Sequence, residues 1–320
     1  MCYYFAPEMN NKRIVSPVML VAAALIWGTA FLAQKLGADH LGPYSFTTLR
    51  SILGGCALLA VIGVRKLRGA ETPHGGDPRY WRNVLWGGFG CGFWLFAASV
   101  LQQAGLGYTD AGVSGFLTAN YVLLVPILGI FIGRAPRWFI WPCVLLAVAG
   151  LYLICMNGPV PMGRGEWLTI GCALLFAVQM LVVDHFAPRT DVLALSCAQF
   201  FACVVLGAPL MLLPGESAKL TADSLVACLP MVAYCGILSS GVAYTFQNIA
   251  QASTPPALAA ILLSLESVFA ALAGWLFLHE SMTPRQVAGC ALVFAAVIAA
   301  QVCDILWPRR ETTPRAAVRD

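Results

Sequence analysis

Arg50 and Glu266 stand inside apolar stretches, Thr47-Thr48-Leu49-Arg50-Ser51-Ile52-Leu53 and Leu263-Ser264-Leu265-Glu266-Ser267-Val268. A charge at the centre of a bilayer-spanning helix costs roughly 2.5–3.5 kcal/mol on insertion scales, so each needs a purpose. Arg50 has the planar fork for bidentate capture of a substrate carboxylate; it is equally suited to pairing with a helix C-terminus and holding the fold. Glu266 suits a proton-coupling group or an anchor for a substrate ammonium, or a carboxyl that only hydrogen-bonds a neighbouring helix. Around these two, Trp27, Tyr121, Tyr244, Gln102, Gln247, Asn120 and Asn248 are polar or amphipathic groups within apolar runs. Aromatic faces with a few polar atoms are what a pocket for a small amphipathic molecule needs. Singly, each is as readily ordinary helix packing; as a cluster in corresponding places they outline a site.

The elements that must position them are membrane helices. At 59% hydrophobic and 11% charged residues, the chain lies far from the soluble average of roughly 25% charged, and a soluble domain could not cover so much apolar surface. About 20 apolar residues cross a bilayer core, and the segments that qualify are 17–37, 44–64, 83–105, 111–133, 138–156, 166–187, 191–213, 224–250, 256–278 and 284–306. Breaks fall at ordinary punctuation such as Gly42-Pro43, Pro136, Pro214-Gly215 and Pro255-Pro256. The predicted class is an all-α integral membrane protein of ten transmembrane helices. Lys12, Arg13, Arg65, Lys66, Arg68, Arg79, Arg82, Arg134, Arg137, Arg189 and the arginines after Trp307 fall on one side, against Lys35, Arg164, Lys219 and Arg285 on the other. The positive-inside rule then puts both termini in the cytoplasm and the protein in the cell membrane. The first span is too long for a signal peptide and is read as retained; Met9 is an alternative start to Met1.

Other chemistries find little support. The twelve cysteines contain no C-x-x-C pair and sit mostly in apolar runs, where they act as small packing residues. His279-Glu280 lacks the second histidine of a zinc helix, since Thr283 stands there, and Glu280 reads as a helix-end cap or gate. No phosphate-cradling glycine loop is present, so nucleotide hydrolysis does not drive the protein directly. Asp184, Arg189 and Asp191 read as one loop charge group. The small net charge of +4 sits in loops and tails and does not point to nucleic acid. Gly88-x-x-x-Gly92 and Gly129-x-x-x-Gly133 would let helices approach closely, leaving monomer and homodimer open. Trp138, Trp141, Trp167 and Trp307 read as interfacial belt residues. Neither metal nor cofactor is expected.

The ten spans form two halves. Leu25-Ile26-Trp27-Gly28-Thr29-Ala30 aligns with Leu174-Leu175-Phe176-Ala177-Val178-Gln179 at an offset of 149, which also carries Arg50 onto Gln199. At an offset of 145, Gln102 meets Gln247, Thr109 meets Thr254 and Tyr121 meets Glu266. Five spans per half place the halves in opposite orientations, an inverted repeat that frames a midplane site. The expected domains are residues 17–156 and 166–306, with a cytoplasmic N-terminal segment 1–16 and a tail 307–320.

Ile26-Trp27-Gly28-Thr29-Ala30-Phe31, then Pro43, Phe46 and Arg50, then Ala243-Tyr244 with Gln247, Ser264-Leu265-Glu266, the 276–280 run and Gly289 together resemble the drug/metabolite transporter superfamily, in its EamA-type ten-helix branch. Gly133-Arg134-Ala135-Pro136 departs from it where the family often has an acidic residue, and Ser267 where many relatives have proline. The resemblance implies a secondary transporter for a small organic metabolite, an amino acid or an amphipathic or drug-like compound, moved by alternating access and in the direction of efflux. The alternatives are an anion exchanger for phosphorylated metabolites, which would want more than one intramembrane cation, and an intramembrane lipid-modifying enzyme, for which Asp184 and His185 lack partners.

Overall fold

The computed structural model describes residues 6–69, 72, 76–109, 111–156, 162–277 and 282–307. His279 and Glu280 lie outside them, as do Met1 and the tail after Trp307. Among the described residues there is no strand, and ten long helices follow one another: α1 (Ala6–Ala38), α2 (Pro43–Leu67), α3 (Tyr80–Leu106), α4 (Ala111–Ala119 and Tyr121–Phe131), α5 (Ile140–Cys155), α6 (Arg164–Phe186), α7 (Val192–Gly207), α8 (Ala222–Gln251), α9 (Pro256–Leu263 and Leu265–Phe277) and α10 (Pro284–Leu306), with short helical turns at Ala187–Arg189, Leu210–Leu212 and Pro214–Ser217 in the connections. Nine are long and apolar enough to cross a membrane, and α5 is a shorter apolar helix of 16 residues, about 24 Å at 1.5 Å per residue. Side chains on outer faces are apolar, as on the α3 stripe of Trp81, Leu85, Phe89 and Phe93, which suits a lipid solvent. Trp138, Trp167 and Trp307 are exposed near helix ends, and Trp141 is half-buried.

The helices begin where the sequence provides caps. Pro43 opens α2 at a position whose N–H needs no partner. Asp191 caps α7 by accepting from Leu193 N at 3.0 Å, and Thr283 with Gln286 forms a capping box on α10. α1 starts well before the predicted residue 17 and carries Pro17 within it; the polar residues before Pro17 end the apolar run but do not end the helix.

Packing follows a two-fold pattern. α3 lies on α6 and α7, while its repeat mate α8 lies on α1 and α2; α6 lies on α4 as α1 lies on α9; α2 meets its own mate α7, and α5 its mate α10. The α5–α10 contact is reciprocal at the level of atoms. A Cβ on Gly150 would lie 2.8 Å from Gly289 O and 2.7 Å from Val293, and one on Gly289 would lie 2.7 Å from Gly150 O and 2.9 Å from Ile154. A contact in which i meets j and j meets i is the mark of a two-fold axis. Gly92, at Gln199 O and Ala202, and Gly236, at Arg50 O and Leu53, repeat this relation between α3–α7 and α8–α2. Each half of an odd number of spans is therefore inverted relative to the other.

Two expectations change. Gly88 and Gly92 do pack on α7, against Ala198 and Gln199, but Gly129 and Gly133 bring no second helix close. They close α4 instead, Gly133 at φ 73° and Arg134 N donating to Gly129 O at 2.7 Å, because only glycine takes a left-handed C′ position readily. α4 and α9, predicted continuous, are interrupted at Asn120 and Ser264. At each break the side chain donates to its own helix, Asn120 Nδ2 to Phe116 O at 2.7 Å and Ser264 Oγ to Ile261 O at 2.6 Å, a competition with the ladder that bends helices.

α8 departs from its mate as well. Residues Tyr234–Ala243 have π pitch, whereas α3 is α-helical throughout. Gly92 pairs with Gly236 at an offset of 144, and Gln102 with Gln247 at 145. One residue has been inserted into α8 between them, and the wide turns absorb it.

Candidate functional site

A narrow cavity lies among α1, α2, α3, α4, α6, α8 and α9, its surface mostly apolar and aromatic with polar groups among it, the usual make-up of a small-molecule pocket. Much of its wall comes in repeat-related pairs: Trp27 with Phe176, Phe31 with Met180, Gln102 with Gln247, Thr118 with Leu263, and Tyr121 with Glu266. Gln34, Arg50, Gln179, Ser239 and Tyr244 complete it. A cavity lined by both members of so many pairs lies on the axis relating the halves.

Arg50 enters from α2 and is 4% exposed. Its Nη1 donates to Gln34 Oε1 on α1 at 3.1 Å and its Nη2 to Ser99 Oγ on α3 at 2.9 Å. The expected helix C-terminus is not its partner, because two neutral side chains reach the guanidinium first. No carboxylate pairs with it among the described residues. A guanidinium carries five N–H donors, so two hydrogen bonds leave capacity for a bidentate anion.

Glu266 lies two residues past the α9 break and is 3% exposed. Its repeat mate Tyr121, one residue past the α4 break, donates Oη to Glu266 Oε1 at 3.2 Å. Gly28 on α1 lets that helix close on the α9 backbone, where a Cβ would lie 2.8 Å from Ala270 N. The same cavity has an aromatic wall. Trp27 and Tyr244 meet with ring centroids 4.6 Å apart, and Phe200 backs Tyr244 edge-on at 5.8 Å. Trp27 Nε1 makes a long bond of 3.4 Å to Ser239 O in the π segment. Tyr244 lines the same cavity as Arg50 and Glu266.

Of the residues singled out from sequence, Trp27, Arg50, Gln102, Tyr121, Tyr244, Gln247 and Glu266 line this cavity and Asn120 and Asn248 do not. Asn120 is spent on the break in α4. Asn248 is fully buried and donates to Ser196 Oγ on α7 at 2.9 Å, a tie between helices. The wall also holds Phe31, Gln34, Thr118, Phe176, Gln179, Met180, Ser239 and Leu263. Phe176 and Gln179 stand in the run aligned with residues 25–30, which was their available signal.

Asp184, Arg189 and Asp191 do not form one group. Asp184 pairs with Arg134, Asp191 with Arg65, and Arg189 donates to His185 O; Arg137 and Asp304 meet at 3.9 Å. Each acid finds its cation on another part of the chain, Asp191 on α2 and Asp184 and Asp304 on the connection between α4 and α5.

A model of the EamA-like transporter family matches residues 16–156 and again residues 163–300. An uncharacterized transporter of Archaeoglobus fulgidus is 29% identical over 296 residues, covering 90% of this chain and 86% of the relative. The threonine/homoserine exporter RhtA of Escherichia coli K12 is 28% identical over 303 residues, covering 92% of each. A solved crystal structure superposes with a TM-score of 0.72 over 92% of this chain and 99% of that one, at 19% identity, a likeness of fold.

Proposed function

The chain belongs to the EamA-like transporter family, and from that premise we propose that it moves a zwitterionic, amino-acid-type metabolite by alternating access through the axial cavity. The observation that carries the reading is Arg50: a buried guanidinium on the cavity wall, held by two neutral side chains and without a carboxylate. Burying an unpaired charge is expensive, and a substrate carboxylate would supply the missing counter-charge in bidentate form. Glu266, bonded by Tyr121 and by no cation among the described residues, is the anchor for the substrate ammonium. Trp27 and Tyr244 cover the substrate's apolar part. An exchanger of phosphorylated anions is disfavoured, because Arg50 shares its cavity with a carboxylate.

Glu266 serves in turn as the proton site. A carboxyl that holds either an ammonium or a proton exchanges one for the other, which couples outward movement of the zwitterion to inward movement of a proton. The direction is export, in keeping with the relative named as a threonine/homoserine exporter. The protein resides in the inner membrane with both termini cytoplasmic, on the distribution of Lys and Arg. The repeat domains are residues 17–156 and 166–306, which rock against each other. The ion pairs Arg134–Asp184 and Arg137–Asp304 then lie on the cytoplasmic face and hold it closed. Whether the protein is a monomer or a homodimer, one chain supplies the whole cavity wall.

Proteoliposomes with an imposed pH gradient test this. Wild type is expected to accumulate a labelled amino acid against its own gradient, and Glu266→Gln to lose that accumulation. Accumulation by Glu266→Gln equal to wild type would remove Glu266 from coupling, and no saturable flux of any amino acid by folded protein would remove the substrate class.

A further inference from the structure

The second-half wall of the cavity is built differently from the first. In the first half, Gln102 Nε2 donates to Thr118 Oγ1, a long bond at 3.4 Å. In the second half Leu263 stands in the place of Thr118, and a leucine offers nothing to a carboxamide. The mate glutamine, Gln247, turns its nitrogen along its own helix to Gln251 Oε1 at 2.9 Å. Its Oε1 is left without a partner among the described residues, though the residue is 2% exposed and lines the cavity. Beside it Gln179, also on the wall, donates to Gln199 Oε1 at 3.4 Å. Gln199 stands in Arg50's place behind the wall, where it supports Gln179, and its Nε2 is likewise unpartnered among the described residues.

We propose that Gln247 and the Gln179–Gln199 pair form a subsite for an uncharged hydroxyl or carboxamide on the side chain of the transported zwitterion. This rests on the reading of the cavity as a zwitterion site and adds what the zwitterion carries. The chemistry selects by exclusion. An apolar side chain would leave the Gln247 carbonyl buried and unsatisfied, which is more costly than the bond is favourable. A second carboxylate would find amides but no cation, and a second ammonium only neutral acceptors, so either would be buried without a counter-charge. A hydroxyl donates to Gln247 Oε1 and still accepts from an amide N–H; a carboxamide does both through separate atoms. The Trp27–Tyr244 face accommodates the methylene or methyl groups of such a side chain without selecting among them.

The test is competition against counterflow of labelled threonine in proteoliposomes, using competitor pairs close in size: threonine against valine, and glutamine against methionine. Wild type is expected to be inhibited by the hydroxyl or carboxamide member at a concentration at least about tenfold lower than by its apolar partner, the direction in which a site with committed polar groups discriminates. In Gln247→Met that ratio is expected to fall towards one. The ratio of two inhibition constants does not change when less protein folds, so a purely structural role for Gln247 leaves it where it was. Equal inhibition by both members in wild type overturns the subsite, as does an unchanged ratio in Gln247→Met. If Gln247→Met does not fold, the wild-type ratio decides alone. Absence of threonine flux, with no amino acid moved in its place, overturns the zwitterion reading and this subsite with it; flux without preference overturns the subsite only.

Discussion

The two halves of the molecule put three pairs of equivalent helices, with α2 besides, around the same cavity and equip it with different chemistry. In the first half α2 contributes Arg50, braced by Gln34 and Ser99. At the equivalent place α7 carries Gln199, which lies behind the wall and accepts from the wall residue Gln179, and Tyr244 stands where Ser99 stands. α4 contributes the phenol of Tyr121, and α9 the carboxyl of Glu266 in the same position, the two joined across the axis. The packing glycines, by contrast, keep reciprocal environments in both halves, at Gly150 and Gly289 and at Gly92 and Gly236. Duplicated geometry has been kept where helices touch and given up where the substrate would lie. A symmetric frame can face either side of a membrane at similar free energy, whereas a zwitterion needs unlike poles.

Breaking the asymmetry should have the largest effect. Arg50→Gln, which gives the first half the residue of the second, is expected to reduce threonine counterflow by about 10- to 100-fold. That is the scale of losing charge-assisted hydrogen bonds worth roughly 1.5–3 kcal/mol. Initial rates over a concentration series would read it, and a rate within twofold of wild type would mean that Arg50 only braces the helices. Glu266→Gln should come next: homologous exchange lowered by about tenfold, and the response to an imposed pH gradient lost.

The symmetric frame makes a different claim, open to a different measurement. Gly150→Ala and Gly289→Ala are expected to destabilise the detergent-solubilised protein by similar amounts, about 1–3 kcal/mol each, the usual cost of overpacking a tight contact. Gly63→Ala, which meets nothing within 4 Å, should be neutral or slightly stabilising, since alanine is the better helix former. Thermal unfolding of the three variants side by side would show whether the mates are equivalent. The smallest effect is expected at the half-exposed Arg137–Asp304 pair, where a double-mutant cycle should give a coupling below about 1 kcal/mol.

The frame was legible because apolar runs of bilayer length are hard to mistake, and because Pro and Gly punctuate them at matching intervals. Arg50 and Glu266 were legible for the converse reason, as ionised groups stand out in such runs. Neutral polar residues carry no such mark. Gln34, Thr118 and Ser239 line the cavity, yet in sequence they resemble Asn120 and Asn248, which serve the helix break and a helix contact; which face of a helix meets the cavity is decided by packing. The π segment of α8 left only a change of one residue in the repeat offset, visible once Gly92 and Gly236 are known to be equivalent. The breaks in α4 and α9 had no proline or glycine at the interrupted position to announce them, since Asn120 and Ser264 act through their side chains.

The unlike poles are the centre of this account, and one competition series tests them most directly. Counterflow of labelled threonine by wild-type protein would be challenged with unlabelled threonine, with the amine that lacks its carboxylate, and with the hydroxy acid that lacks its ammonium. Strong inhibition by threonine alone, with each truncated compound weaker by about tenfold or more, is the result expected of a cavity holding both Arg50 and Glu266. Inhibition by the amine or the acid as strong as by threonine would contradict it, because one pole would then be idle.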